Sequence, residues 1–118
     1  MTDALLPAML RKAADVSRRG AGGAAPPLPR VVNVCSGAGT LRILRSEALA
    51  RRFLDADSPR AVFALVDEFV AAVGAGTHAR DGSPGSMYGV SKLGEAALTR
   101  ALAKAHAGEL VVAAVCPG

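Results

Sequence analysis

The segment from Arg30 to Ser36 reads RVVNVCS, and a second apolar segment, ELVVAAVC, runs from Glu109 to Cys116. Both are short and rich in β-branched or small apolar residues, which is typical of buried strands. Helical patterns lie between them, so we expect two parallel neighbours joined by a right-handed crossover, in a sheet covered on both faces. The sequence therefore predicts an α/β fold with its chemistry at the carboxyl ends of the strands.

Helical patterns fill most of the remaining chain. Apolar spacing predicts a helix over residues 3–17, and a breaker-rich loop follows at 19–29. Residues 41–54 are predicted to form a short, partly helical segment between the first strand and the next helix. A further helix should begin at Ser58-Pro59, and a long one, capped by Ser86 or a neighbour, should reach about His106. The residues expected to face inward are Val62, Val66, Phe69, Val70 and Val73 in the first of these two helices and Val90, Leu93, Ala97, Leu98 and Ala101 in the second.

Composition bounds the class of protein. The 118 residues suffice for one small domain, and the sequence contains no internal repeat or domain linker. Because 51% of the residues are hydrophobic and only 3% aromatic, the core should consist of alanine, valine and leucine. No apolar run approaches the roughly 18–20 residues of a membrane span, and the N-terminus lacks the order of a signal peptide. We expect a soluble, cytoplasmic chain with no membrane partner.

Charge and metal-ligand patterns exclude two further classes. The net charge is +4, but the basic residues are scattered and lack aromatic platforms, so no nucleic-acid partner is expected. Cys35 and Cys116 are too far apart in sequence for a zinc motif, and His78 and His106 add no ligand pattern. No metal site is predicted, and both thiols are expected to be reduced and buried.

Tyr88 is the only tyrosine, and Lys92 follows it by four positions in the sequence YGVSK. On a helix this spacing places phenol and ammonium on one face. A nearby cation stabilises phenolate relative to phenol, as a general acid–base catalyst requires. The alternative is a surface tyrosine with a solvated lysine. Ser36, at the end of one predicted strand, and Pro117, just after the other, should lie at the same edge of the sheet, which favours the catalytic interpretation.

Together these motifs resemble the short-chain dehydrogenase/reductase family. That family has a serine directly after a strand, here VNVCS ending at Ser36, then Tyr88 and Lys92 on the next helix, then a strand that ends in Pro-Gly. The resemblance covers nearly the whole chain as one partial domain, residues 1–118, and implies a partial Rossmann-like doubly wound parallel sheet. The 52 positions between Ser36 and Tyr88 are typical of the carbonyl reductase branch. In that branch a helical insert covers the helices through which relatives form dimers. The corresponding insert lies at about 41–80 in this chain, so the resemblance implies a monomer.

The resemblance also implies roles for individual residues in reducing a small-molecule carbonyl compound. Tyr88 would protonate the carbonyl oxygen as hydride arrives from NADPH, and Ser36 would hold and polarise that oxygen. Lys92 would make Tyr88 more acidic and bind the nicotinamide ribose. Pro117 and Gly118 would begin the loop against the nicotinamide ring. The substrate would thus contact Ser36 and Tyr88, while the cofactor would contact Tyr88, Lys92, Pro117 and Gly118.

Some side chains have simpler alternatives. Ser36 has the alternative role of capping the turn after its strand. Cys35 stands where the family more often has serine, and it should point to the opposite face of the strand. Ser91, inside the helix, should bond to its own backbone. The loop before Tyr88 lacks the tryptophan that the family often has there, so the shape of the substrate pocket should differ.

The glycine-rich turn that cradles the cofactor phosphates in this family is not found in the sequence. The run Arg19 to Gly23 is glycine-rich, but it follows a predicted helix rather than a strand, so we interpret it as a loop. Two apolar strands without further neighbours would also leave unpaired edges and uncovered apolar faces. We therefore expect these 118 residues alone to be poorly stable, prone to aggregation and inactive as a reductase. The alternative function is a non-catalytic segment that docks onto a partner through an exposed sheet edge.

Overall fold

The computed structural model describes residues 2–19 and 28–117. The predicted order of helices and strands is confirmed, while most of the predicted loop at 19–29 lies outside the described residues. Short 3₁₀ turns at Gly37–Gly39 and Leu41–Ile43 begin the segment after the first strand. The longer elements are α1 (Thr2–Arg19), β1 (Arg30–Val34), α2 (Glu47–Asp55), α3 (Pro59–Gly74), α4 (Met87–Ala105) and β2 (Val111–Val115).

The two strands form a parallel pair, as their apolar sequences and the helical crossover predicted. The register runs from Arg30 opposite Val111 to Val34 opposite Val115. The pairing continues one step further, because the backbone N–H of Cys35 donates to the carbonyl of Val115 at 2.8 Å. Both strands are shorter than predicted, yet their carboxyl ends lie side by side. The sheet and its helices form a partial Rossmann-like α/β unit.

Only one face of this sheet is covered within the described chain. Helix α4 packs against both strands on that face. On the opposite face Val32 and Val34 are 55% and 57% exposed, and Val111 and Val115 are exposed as well. The prediction of a sheet covered on both faces is therefore wrong for residues 2–19 and 28–117. Strands with this apolar composition favour burial on both faces, but whether a face is buried depends on other segments packing against it.

The core lies among α2, α3 and α4. Serine side chains cap all three helices at their N-termini, and Ser58 and Ser86 do so at the predicted positions. Val70 was expected to be buried but is 62% exposed, and Leu65 is buried in α3 instead. The core also contains two phenylalanines, Phe69, which the apolar stripe of α3 predicted, and Phe53, which was not expected. Its buried cluster consists of Phe53, Ala56, Val62, Leu65, Leu93, Ala97 and Ala101, with Phe69 buried nearby.

Helix α1 extends over 18 residues, one residue further at its start and two further at its end than predicted, with Pro7 in its second turn. Among the described helices, none combines the length and apolar character needed to cross a membrane. The candidate site is positioned by four parts of this fold, namely β1, β2, α4 and the turn that follows β1.

Candidate active site

The turn after β1 is organised by Ser36. Its hydroxyl oxygen accepts a hydrogen bond from the backbone N–H of Ala38 at 3.2 Å and so caps the 3₁₀ turn. The capping role considered from sequence is thus present. It does not exclude a second role, because a hydroxyl that accepts through oxygen keeps its own hydrogen for donation. Half-buried at the carboxyl edge of the sheet, Ser36 can donate to a ligand oxygen there.

The turn lies directly on helix α4 because Gly39 has no side chain. A Cβ atom at Gly39 would lie 2.5 Å from the carbonyl carbon of Lys92 and 2.7 Å from the backbone nitrogen of Leu93. Real Cβ atoms essentially never approach other heavy atoms this closely. The end of β1 can therefore contact the second turn of α4 only with glycine at position 39.

A second glycine lies against the same turn about one turn earlier in α4, in a less tight contact. A Cβ atom at Gly89 would lie 3.2 Å from the carbonyl oxygen of Ala38. Gly89 directly follows Tyr88, and Ala38 is the residue that Ser36 caps. The two glycine contacts thus bring the Ser36 turn onto the part of α4 that carries Tyr88 and Lys92.

The ammonium group of Lys92 has two protein acceptors. It donates to the carbonyl oxygen of Val34 at 3.1 Å and to the carboxylate of Glu95 at 2.7 Å. The pKa of Lys92 is raised, chiefly by the hydrogen bond with Glu95 and to a smaller extent by the negative charge of a Tyr88 phenolate. Lys92 is therefore protonated at neutral pH and held at the end of β1. Its third N–H remains for a ligand, since an ammonium has three donors.

Tyr88 lies in the first turn of α4 with 58% of its surface exposed. Its position leaves the phenol accessible to a bound molecule at the sheet edge. The hydroxyl of Ser91 donates to the carbonyl oxygen of Tyr88 at 2.8 Å, so the prediction that Ser91 bonds to its own backbone is confirmed.

Pro117 is exposed and lies two residues beyond the end of β2. Because the strands are parallel, it lies at the same edge as the Ser36 turn. Gly118, the other residue expected to contact a nicotinamide ring, lies outside the described residues. The structure thus brings to one edge of the sheet the residues Ser36, Tyr88, Lys92 and Pro117.

Sequence reasoning did not find the polar contacts that hold β1 against α4. The Asn33 side-chain amide donates to the Thr99 hydroxyl at 2.7 Å, and that hydroxyl donates to the backbone carbonyl of Glu95 at 2.8 Å. Glu95 also holds Lys92, as described above. The Lys92–Glu95 spacing of three residues on one helix was a usable signal. Asn33 and Thr99 are 66 positions apart, and nothing in their local sequence links them.

The two cysteines differ in exposure. Cys35 is 5% exposed and lies on the α4 side of β1, near Glu95, Lys92 and Thr99, whereas Cys116 is exposed. The expectation that both thiols are buried is therefore wrong for Cys116, which lies just beyond the end of β2. The pKa of Cys35 is raised, first by burial and then by the negative charge of Glu95.

The fold and the edge site define a partial Rossmann-like α/β unit with a serine, a tyrosine and a lysine at its strand ends. No protein-family model matches the sequence. Carbonyl reductase (NADPH) 3 of Rattus norvegicus is 42% identical over 100 residues, and its Homo sapiens counterpart is 39% identical over 103 residues. Carbonyl reductase (NADPH) 1 of Rattus norvegicus is 33% identical over 100 residues.

Each of these alignments covers 78% of this chain and 36% of the relative, so the chain spans about a third of the length of the curated relatives. Among solved structures, salutaridine reductase from Papaver somniferum matches with a TM-score of 0.69 at 28% identity, over 77% of this chain and 32% of that one. The resemblance to short-chain dehydrogenases/reductases of the carbonyl reductase type is thus confirmed for the region these alignments share.

Proposed function

We propose that this chain carries the proton-donating segment of an NADPH-dependent carbonyl reductase, which reduces a small-molecule carbonyl compound to an alcohol. The observation that carries the proposal is the glycine-mediated contact of the Ser36 turn with α4. That contact gathers a hydroxyl, a phenol and an ammonium at the carboxyl edge of a parallel sheet. The names of the curated relatives support the reaction class and the cofactor.

The proposed roles follow from the chemistry of a carbonyl group that gains negative charge on oxygen. Ser36 and Tyr88 donate hydrogen bonds to that oxygen, and preorganised donors of this kind lower the barrier as charge develops. Tyr88 then transfers its proton to the oxygen. The positive charge of Lys92 stabilises the phenolate that remains. Glu95 acts as a positioning residue, since it holds the ammonium beside the end of β1.

The described residues fit one end of a nicotinamide cofactor. NADPH, when bound, supplies the hydride. Lys92 would hold its ribose through the remaining N–H, Tyr88 would contact it from the first turn of α4, and Pro117 would lie against the ring with Gly118. The sequence has no glycine-rich turn between a strand and a helix for the phosphates. We therefore infer that the 118 residues alone neither bind NADPH tightly nor catalyse reduction. We further infer that the intact enzyme is a monomer, because the helical insert of the carbonyl reductase branch includes α2 and α3 here.

A chimera tests the catalytic roles without requiring activity from 118 residues alone. The aligned segment of human carbonyl reductase 3 is replaced by its counterpart from this chain. NADPH oxidation is then measured with a panel of aldehydes and ketones. We expect activity that Tyr88→Phe lowers by at least about 100-fold, in line with general acid catalysis. Ser91→Ala is the matched control and should retain activity, because that hydroxyl contacts only backbone among the described residues.

Two results would contradict the proposal. One is a folded chimera, with cooperative unfolding and NADPH affinity, that is inactive on every substrate. The other is activity that survives Tyr88→Phe unchanged. Tight, stoichiometric NADPH binding by the 118-residue chain would overturn the inference that it needs additional residues.

A second function is favoured by the uncovered sheet face. Val32, Val34, Val111 and Val115 form an exposed apolar surface on the side opposite α4. A non-catalytic segment that docks onto a partner through its sheet would need such a surface and an unpaired strand edge. Purification of the chain as a defined hetero-complex, together with an inactive chimera, would favour this function over the reductase.

A further inference from the structure

The two cysteines occupy neighbouring positions on the paired strands. Val34 pairs with Val115, and the hydrogen bond from Cys35 N–H to the Val115 carbonyl continues the ladder by one step. That step places Cys35 opposite Cys116. Since side chains alternate along both strands, paired residues of parallel strands point to the same face. Both thiols therefore lie on the α4 side of the sheet.

The spacing of the strands suits a covalent bond between these thiols. Paired parallel strands are about 4.8 Å apart, and disulfides join Cα atoms separated by roughly 4.4–6.8 Å. Rotation of the side chains and a small approach of the two Cβ atoms are then the adjustments needed. The thiols also interact electrostatically, because the negative charge of a Cys116 thiolate contributes to raising the pKa of Cys35.

We propose that Cys35 and Cys116 form a dithiol modification site that low-molecular-weight disulfides such as oxidised glutathione convert reversibly to a cross-strand disulfide. Cys116 is exposed and reacts first: its thiolate attacks one sulfur of oxidised glutathione, and one reduced glutathione leaves. The Cys35 thiolate then attacks the Cys116 sulfur, and a second reduced glutathione leaves. The protein loses two hydrogens and two electrons, and oxidised glutathione gains them.

The surroundings of Cys35 make the second step the slower one. Burial and the charge of Glu95 raise its pKa, Cys116 acts in the same direction, and Lys92 opposes them. Less thiolate is present at neutral pH, so ring closure should accelerate as the pH rises. The new bond would tie the residue before Ser36 to the residue before Pro117. Oxidation would thereby fix the distance between the two strand ends that border the candidate active site.

The test uses the 118-residue chain equilibrated with defined ratios of reduced and oxidised glutathione. Free thiols are trapped by alkylation, and the products are identified by intact mass and by peptide mapping. We expect the main oxidised product to lack two hydrogens and to link Cys35 with Cys116. Cys35→Ser should instead accumulate one glutathione on Cys116, and Cys116→Ser should react slowly because its remaining thiol is buried.

A comparison with the denatured chain removes any dependence on the folding of the variants. In urea the two thiols are 81 residues apart on a flexible chain, so their effective concentration is low. We expect the disulfide to be at least about tenfold more stable relative to glutathione in the native chain than in urea. Equal stability in the two states, or a wild-type product that is mainly glutathionylated at Cys116 or linked between chains, would overturn the proposal.

Discussion

Replacing Gly39 with alanine should separate the Ser36 turn from α4. The added Cβ would lie 2.5 Å from the carbonyl carbon of Lys92, whereas ordinary contacts begin at 3.4 Å, so turn and helix must move apart by about 0.9 Å. The neighbouring atoms are helix backbone, which cannot rotate away as a side chain would. The hydrogen bond from Lys92 to the Val34 carbonyl, now 3.1 Å long, would stretch beyond bonding distance with a displacement of that size.

The cost of this change follows from the physics of overpacking. Inserting one carbon into a rigid contact typically destabilises a protein by about 1–3 kcal/mol. With a urea dependence of about 1–3 kcal/mol per molar for a small domain, the unfolding midpoint should fall by roughly 1 M. In the chimera described above, the misplaced Lys92 and Ser36 should lower turnover as well, since a shift of about 1 Å at a site can cost about 100-fold.

Gly37→Ala is the matched control for Gly39→Ala. It lies in the same 3₁₀ turn, and a Cβ atom added there would have no heavy atom within 4 Å beyond its own chain neighbours. Its free energy of unfolding in urea should stay within about 0.5 kcal/mol of wild type, or rise slightly because alanine restricts the unfolded chain. Equal midpoints for the two alanine variants, measured by circular dichroism, would refute the argument that Gly39 is required by the helix contact.

Thr99→Val should lower the free energy of unfolding, measured in urea, by about 1–3 kcal/mol, because it leaves the Asn33 amide without its hydrogen-bond partner. Thr99→Ser keeps that hydroxyl and should retain most of the stability. Glu68→Gln should lower the free energy of unfolding by no more than about 1 kcal/mol at neutral pH, since both side chains of the Arg52–Glu68 ion pair are half exposed. The hydrogen bond from Arg52 lowers the pKa of Glu68 below 4.5. The stabilisation is therefore complete above pH 4.5 and is lost as the pH falls through the lowered pKa. Melting temperatures of the wild type and of Glu68→Gln, measured from pH 7 to pH 2, check that stability falls in this direction.

The elements that the sequence predicted well are those specified by local chemistry. Ser58-Pro59 and Ser86 begin helices because serine oxygens bond the free backbone N–H groups, wherever the helix packs. The parallel strands followed from their apolar composition and the helices between them. Ser36, Tyr88 and Lys92 lie near one edge because strand direction and helix spacing already determine that arrangement.

The remaining features depend on contacts between distant parts of the chain. Val70 is apolar and correctly spaced, yet it is exposed because α3 turns its Leu65 face toward the core. Cys116 lies one residue beyond β2 and is exposed. Gly39 lies in a short turn, but its contact with the α4 backbone depends on the packing of two elements. Local patterns carry no information on such distances.

The register of the sheet has a consequence for folding. Each β1–β2 pair joins residues 81 positions apart, such as Arg30 and Val111, whereas the α2–α4 core is built from one continuous stretch of chain. Closing a loop that long costs entropy before any contact compensates for it, so sequence-distant pairings tend to form late. The helical core can therefore assemble while the strand ends are still apart. A chain with native helix content but an unzipped sheet would have its hydrophobic core and no aligned serine, tyrosine and lysine.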